Sequence, residues 1–159
     1  MEAVVAVYAD WGIGRDGTQP VVVSADRKHF RTVTDGGAVI VGRRTLADFP
    51  GGRPLKGRTN IVITHQDIQI EGALVVHSPE EAAEAARAFG RVFVIGGASI
   101  YNKMLPWCTR VHATILDCTP VSDVFFPDLD SAPDWLCTSP GEWQEENGLR
   151  YRFATYERK

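Results

Sequence analysis

The chain has 159 residues, 44% of them hydrophobic, a size and composition that suit one domain, spanning 1–159, with a real core. A formal net charge of −3 and the lack of any run of like charges exclude the footprint of a nucleic-acid binder or a membrane-surface binder, so the expected partner is a small molecule. Three widely spaced cysteines, Cys108, Cys118 and Cys137, without a C-x-x-C pair, suggest neither a disulfide framework nor a zinc site. No metal is expected, and a reducing cytoplasm is the natural setting.

The first run, "AVVAVYA" (residues 3–9), reads as a buried strand. It is too short to span a bilayer, and Glu2 precedes it where a signal peptide carries basic residues, so nothing directs the chain elsewhere. "SADRKHFRTVTDGG" (24–37) reads as a helix with Ser24 as its cap and Gly36-Gly37 as terminator. Apolar strands follow at "AVIVG" (38–42), "NIVIT" (60–64) and "ALVV" (73–76). In "SPEEAAEAARAFG" (78–90), Ser78 is the N-cap, Pro79 takes the first helical position, Glu81 completes a capping box and Gly90 is the stop. Two more strands, "VFVIGG" (92–97) and "VHATIL" (111–116), precede the alternating tail "LRYRFATYERK" (149–159).

Strands that are apolar throughout are buried on both faces, and strands alternating with helices imply crossovers. The expected fold is α/β: a central, mostly parallel twisted sheet with helices on both faces and an antiparallel C-terminal edge strand. In such sheets ligands collect at the carboxyl ends of the strands. "VIGGASIY" offers bare backbone there, and in "VIVGRRTL" a buried strand ends at Gly42, followed by Arg43, Arg44 and Thr45, a pattern suited to phosphate. The plainer alternatives are a strand-to-helix turn and a solvated helix start.

Asp26 and Phe30 are four residues apart, on one helical face. A carboxylate beside an aromatic ring suits a flat ligand with an amidine-like edge, whereas an ordinary acid in a helix's first turn is the simpler reading. Arg53 and Arg58 flank "PLKG" and suit an anionic ligand end, or are merely solvated. His65 follows a strand and is within reach of a phosphate. His29, His77 and His112 have no ligand-like spacing. The four tryptophans read as packing or loop anchors.

The order "DWGIGRDG", "SADRKHFR", "VIVGRRTL", "FPGGRPLKGRTNIVIT", "VIGGASIY", "ATILD", "DVFFPD", "GLRYRFATYER" resembles dihydrofolate reductase of the bacterial chromosomal type over essentially the whole chain. The resemblance implies NADPH-dependent reduction of 7,8-dihydrofolate to tetrahydrofolate, with hydride passing to the pterin and a proton reaching N5. It implies a soluble monomer open to antifolate inhibitors. Residue by residue, it makes Asp26 the active-site carboxylate and Thr114 its support. It places Val4, Val5, Ala6, Phe30 and Phe49 as apolar walls, Arg58, with Arg53 nearby, at the glutamate tail, and Ile95 and Tyr101 near the pterin. For the cofactor it implies Gly42, Arg43, Arg44 and Thr45 at the phosphates and Thr64 and His65 at the adenine ribose. Ile95, Gly96, Gly97, Ala98, Ser99, Ile100 and Tyr101 fall to the nicotinamide half, with Ala6, Ile13 and Gly14 as further contacts. The Gly-Gly peptide is cis in this family.

The chain departs from the family pattern at Gln19, Val21, Ser24, Leu46 and His65. Two other readings share the fold: a reductase of the riboflavin-pathway pyrimidine intermediate, and a nucleotide-binding module without catalysis. The first has no use for Asp26-Phe30 together with Arg58.

Overall fold

The computed structural model describes all residues from Met1 to Lys159. In chain order the elements are β1 (Glu2–Tyr8), β2 (Gly12–Gly14), α1 (Ser24–Thr34), β3 (Ala38–Gly42), α2 (Arg43–Ala47), β4 (Thr59–Ile63), β5 (Ala73–Val76), α3 (Pro79–Ala86), β6 (Val92–Gly96), α4 (Ala98–Met104), β7 (Arg110–Leu116), β8 (Val124–Phe125), β9 (Trp135–Ser139), β10 (Gln144–Glu146) and β11 (Leu149–Arg158). Parallel strand pairs dominate one region and antiparallel pairing along β11 the other, in line with the α/β expectation. No helix is long and apolar enough to cross a membrane.

The contacts divide the chain into two compact units. The first comprises Met1 and Arg31–Trp107. Its strands run β6-β3-β4-β5, every pair parallel. β-branched side chains fill β3, β4 and β6, and Val39, Ile40, Val41, Ile61, Val62, Phe93 and Val94 are fully buried, as an apolar run covered on both faces must be. At β5, the outer strand of this set, Leu74 is exposed, so the expectation of complete burial fails there. Ser78 caps α3 by accepting from the Glu81 N–H at 3.0 Å. The Glu81 carboxylate accepts from the His77 N–H at 2.9 Å instead of from Ser78, so the capping box closes one residue early. The helix ends at Ala86, ahead of Gly90.

The second unit comprises Glu2–Phe30 and Cys108–Lys159. β1 pairs in parallel with β7, and β11 lies antiparallel on the other side of β7. β9 and β10 both pair with β11, so the antiparallel tail is itself covered along part of its length. β2 and β8 form a small separate ribbon. Trp11 and Trp135 are buried anchors, whereas Trp143 is exposed with the guanidiniums of Arg150 and Arg152 over its ring.

Candidate functional site

In the second unit the site is built on α1 and the sheet face beside it. The first N–H groups of a helix lack internal partners. Here they are met by a carboxylate distant in sequence: Glu146 of β10 accepts from the Ser24 and Ala25 N–H groups, at 2.7 and 3.2 Å. Ser24 does not cap the helix as expected, because its hydroxyl donates to the same carboxylate at 2.7 Å. This fixes the start of the turn that carries Asp26.

The Thr114 hydroxyl of β7 donates to Asp26 Oδ1 at 2.6 Å. Burial pushes the Asp26 carboxyl above the usual carboxylate range, and the Thr114 hydrogen bond and His29 pull it part of the way back. In register, Val4 lies opposite His112 and Ala6 opposite Thr114. Successive strand residues face opposite sides, so Val4 and Ala6 share the Thr114 face and the Val5 side chain points away from it. Of the residues expected as apolar walls, Val4 and Ala6 therefore lie on the face that carries Thr114. Phe30 is partly buried, one turn beyond Asp26.

The loop before α1 is tied to β1. The Gln19 amide donates to the Ala6 carbonyl at 2.9 Å. The Tyr8 hydroxyl donates to the Val21 carbonyl at 3.2 Å and accepts from the Val21 N–H at 3.1 Å. Ile13, partly buried, and Gly14, buried, lie on β2.

The first unit carries the remaining expected residues. β3 ends at Gly42, whose extended backbone caps α2 with no side chain involved. Arg43 and Arg44 are exposed, and Arg43 donates to the Gln66 side chain. A Cβ on Gly42 would stand 3.0 Å from Ile100 Cγ1, and one on Gly97 would stand 2.9 Å from Thr45 Oγ1. Bare backbone is thus required where β3 and β6 end. The Gly96-Gly97 peptide is cis, and the Tyr101 ring lies beside Gly96, 3.6 Å from where a Cβ would be. Ile95, Ile100 and Tyr101 are buried, Ala98 is partly buried and Ser99 is exposed. Thr64 is buried, its hydroxyl accepting from the Gln66 N–H at 3.2 Å, and His65 is exposed.

Arg58 donates to the Lys56 carbonyl at 2.9 Å and to the Thr34 hydroxyl at 3.2 Å. Burial and the nearby Arg31 lower its guanidinium's pKa, while Asp35 acts the other way. Sequence reasoning missed what shapes this loop. Buried Asn60 accepts from the Leu55 N–H at 2.9 Å and donates to the carbonyls of Leu55 and Arg58. An amide inside the apolar run "NIVIT" was its one signal. Arg53 is exposed and Phe49 partly buried.

The second unit thus carries a hydroxyl-supported carboxylate, and the first carries adjacent arginines and glycine-lined strand ends. The family model for dihydrofolate reductase matches residues 1–158. The chain belongs to the dihydrofolate reductase family.

Among curated dihydrofolate reductases, that of Mycobacterium leprae is 41% identical over 152 residues, covering 92% of this chain and 90% of the relative. That of Bacillus subtilis is 33% identical over 159 residues, covering 98% and 93%. A solved dihydrofolate reductase from Enterococcus faecalis, in complex with NADP(H) and RAB-propyl, superposes with a TM-score of 0.86 at 34% identity and covers 99% of this chain and 95% of that one. Within this dihydrofolate reductase, Asp26 and Thr114 are brought into direct contact, Gly97 and Thr45 are adjacent, and Arg58 is held in place by Thr34 and Lys56.

Proposed function

We propose that this reductase converts 7,8-dihydrofolate to 5,6,7,8-tetrahydrofolate with NADPH, supplying one-carbon metabolism. The observation that carries the reading is the Thr114 hydroxyl on the Asp26 carboxylate. A partly buried acid is costly to ionise unless something neutralises it. Thr114 supplies one donor, and the 2-amino and N3 groups of a pterin supply a matching pair on the other side. The held anion then favours a proton at N5 of the substrate. Phe30, Val4 and Ala6 offer apolar surface to the ring, Phe49 to the aminobenzoyl group, and Arg58, with Arg53, a cation to the glutamate tail.

Gly42 and Gly97, at the ends of β3 and β6, leave main chain without side chains at the carboxyl ends of parallel strands, where a cofactor's phosphates can approach closely. NADPH supplies a hydride when bound. Gly42, Arg43, Arg44 and Thr45 hold its phosphates, Thr64 and His65 its adenine ribose, and residues 95–101 its nicotinamide half, with Ala6, Ile13 and Gly14 as further contacts. The net charge of −3 and the absence of a like-charged run support a small substrate rather than a nucleic acid. A monomeric, single-domain enzyme of the cytoplasm is the proposed state.

Loss of NADPH absorbance on adding dihydrofolate is the test. Reduction of a ribitol-bearing aminopyrimidine but not of dihydrofolate would instead give the riboflavin-type reading. Tight NADPH binding with neither substrate reduced would give a module without catalysis.

A further inference from the structure

The parallel strands of the first unit stand in the order β6-β3-β4-β5, neighbours about 4.8 Å apart. One residue follows the end of each: Gly97 after β6, Arg43 after β3, Thr64 after β4 and His77 after β5. The covalent order of NADPH is nicotinamide, phosphates, adenine ribose, base. In the reductase reading its first three parts fall to the ends of β6, β3 and β4. The end of β5 is next along the sheet, and the base is next along the molecule.

His77 is held there by contacts that fix its chemistry. Its main-chain N–H donates to the Glu81 carboxylate of α3 at 2.9 Å, and the Thr64 N–H donates to the Val76 carbonyl at 3.0 Å, which ties the ends of β4 and β5 together. The His77 Nδ1 lies 2.9 Å from the Thr64 carbonyl oxygen. A carbonyl oxygen only accepts, so Nδ1 carries the proton. The neutral ring therefore keeps its lone pair on Nε2, which bonds to no other residue and belongs to an exposed side chain. His77 thus adds a built acceptor to a row of strand ends whose arginines can only donate.

We propose that His77 reads the base of the cofactor: Nε2 accepts a hydrogen bond from the 6-amino group of adenine and so selects adenine over a base that carries an oxo group there. The assignment deepens the cofactor half of the reductase reading and rests on it. An oxo group would set one lone pair against another, with no proton between them. The Thr64 carbonyl makes this selection possible, because it fixes which ring nitrogen is left to accept.

The test is binding of NADPH and of its hypoxanthine analogue, in which an oxo group replaces the 6-amino group, to wild type and to His77→Asn. The asparagine amide reproduces the Nδ1–H donor toward Thr64 but puts nothing in the place of Nε2. Wild type should bind NADPH roughly three- to tenfold more tightly than the analogue, the range of one net hydrogen bond. In His77→Asn the preference should disappear, mainly through weaker binding of NADPH. A preference that persists in the variant overturns the proposal, as does its absence from wild type. Equal weakening of both cofactors also overturns it, since the ring would then meet the ribose or its phosphate. The ¹⁵N resonances of the wild-type His77 ring give a second reading that needs no variant: Nε2 should shift with NADPH and much less with the analogue, and equal shifts overturn the proposal. Discrimination through His77 in a protein that leaves dihydrofolate unreduced would uphold the contact and reject the reductase reading, whereas no binding of NADPH would reject both.

Discussion

The Thr114 hydroxyl meets the Asp26 carboxylate at 2.6 Å, joining β7 to α1 across 88 residues of chain. A charge-assisted bond of this kind holds the acid in place and lowers the cost of its ionisation.

Asp26→Asn keeps the shape and the acceptor for Thr114 but removes the charge. Hydride transfer near neutral pH should fall by ~10² to 10⁴-fold, the range of a general acid-base contribution. The deficit should shrink in acid, where solvent supplies the proton. Stability should move the other way. The folded-state pKa of Asp26 is raised, so its ionisation weakens the fold as pH rises through that value. Asp26→Asn should therefore be more stable than wild type at neutral pH, with the gain disappearing in acid. Thermal melts at the two pH values check the sign.

Arg43 is exposed beside the end of β3, paired only with the neutral Gln66 side chain. A 2′-phosphate would replace that neutral acceptor with a charged one. Arg43→Ala should cost about 1.5–3 kcal/mol of NADPH binding and leave NADH binding nearly unchanged. Titration with each cofactor reads the difference, and equal losses for both would remove Arg43 from the 2′-phosphate.

Arg58 is already oriented by Lys56 and Thr34, so little freedom remains to be lost when it pairs with a carboxylate. Arg58→Ala should weaken folate by about 1.5–3 kcal/mol while sparing a pterin that lacks the glutamate. Arg58→Lys should not restore the loss, since an ammonium lacks the planar fork. Parallel binding isotherms for the two ligands decide it.

Gly97 leaves no room for a methyl group, because a Cβ would press on Thr45 Oγ1 at 2.9 Å. Gly97→Ala must displace Thr45, at an overpacking cost of about 1–3 kcal/mol. The larger effect should fall on NADPH affinity, with Gly90→Ala, where nothing lies within 4 Å, as the silent control. Cofactor binding and denaturant midpoints measured on both variants separate the two effects.

Glu146 accepts from Ser24 and Ala25 at the start of α1, and the Ser24 contacts hold its carboxyl below the usual glutamate range. A depressed folded-state pKa adds stability above the unfolded value, and this is lost as pH falls through the folded one. Glu146→Gln should lower the urea midpoint at neutral pH by a small amount, as loss of a helix cap does. The difference from wild type should close below the ordinary glutamate range.

The buried strands were legible because their burial leaves a mark in composition. Val39, Ile40 and Val41, or Val92 to Ile95, form unbroken apolar runs since both faces are covered. β8 and β10 left no such mark. Their residues are largely exposed, and both strands are held by main-chain pairing that any sequence can supply. Spacing to Phe30 alone left Asp26 as an ordinary helix-start acid, and it was the family likeness that joined it to Thr114, whereas the Glu146 contact was invisible. Nothing local marks an acceptor 122 residues away from Ser24. Ser24 was misread for the same reason, because the propensity for a hydroxyl at a helix start says nothing of a carboxylate arriving from elsewhere. His29 looked inert because histidine spacing was judged against metal ligands, whereas the ring it stacks on, Phe153, lies on the last strand.

Tyr8 grips residue 21 by its main chain alone, through both the carbonyl and the N–H. Position 21 is tethered whatever side chain it bears. The Val21 side chain packs against the buried cluster of Tyr8, Val23, Leu116 and Tyr151, so one tyrosine meets this residue twice, by hydrogen bonds to its main chain and by contact with its side chain. The phenol thus sets the chain's entry into α1 through hydrogen bonds that do not depend on the side chain at 21, while that side chain answers only to the packing beneath it.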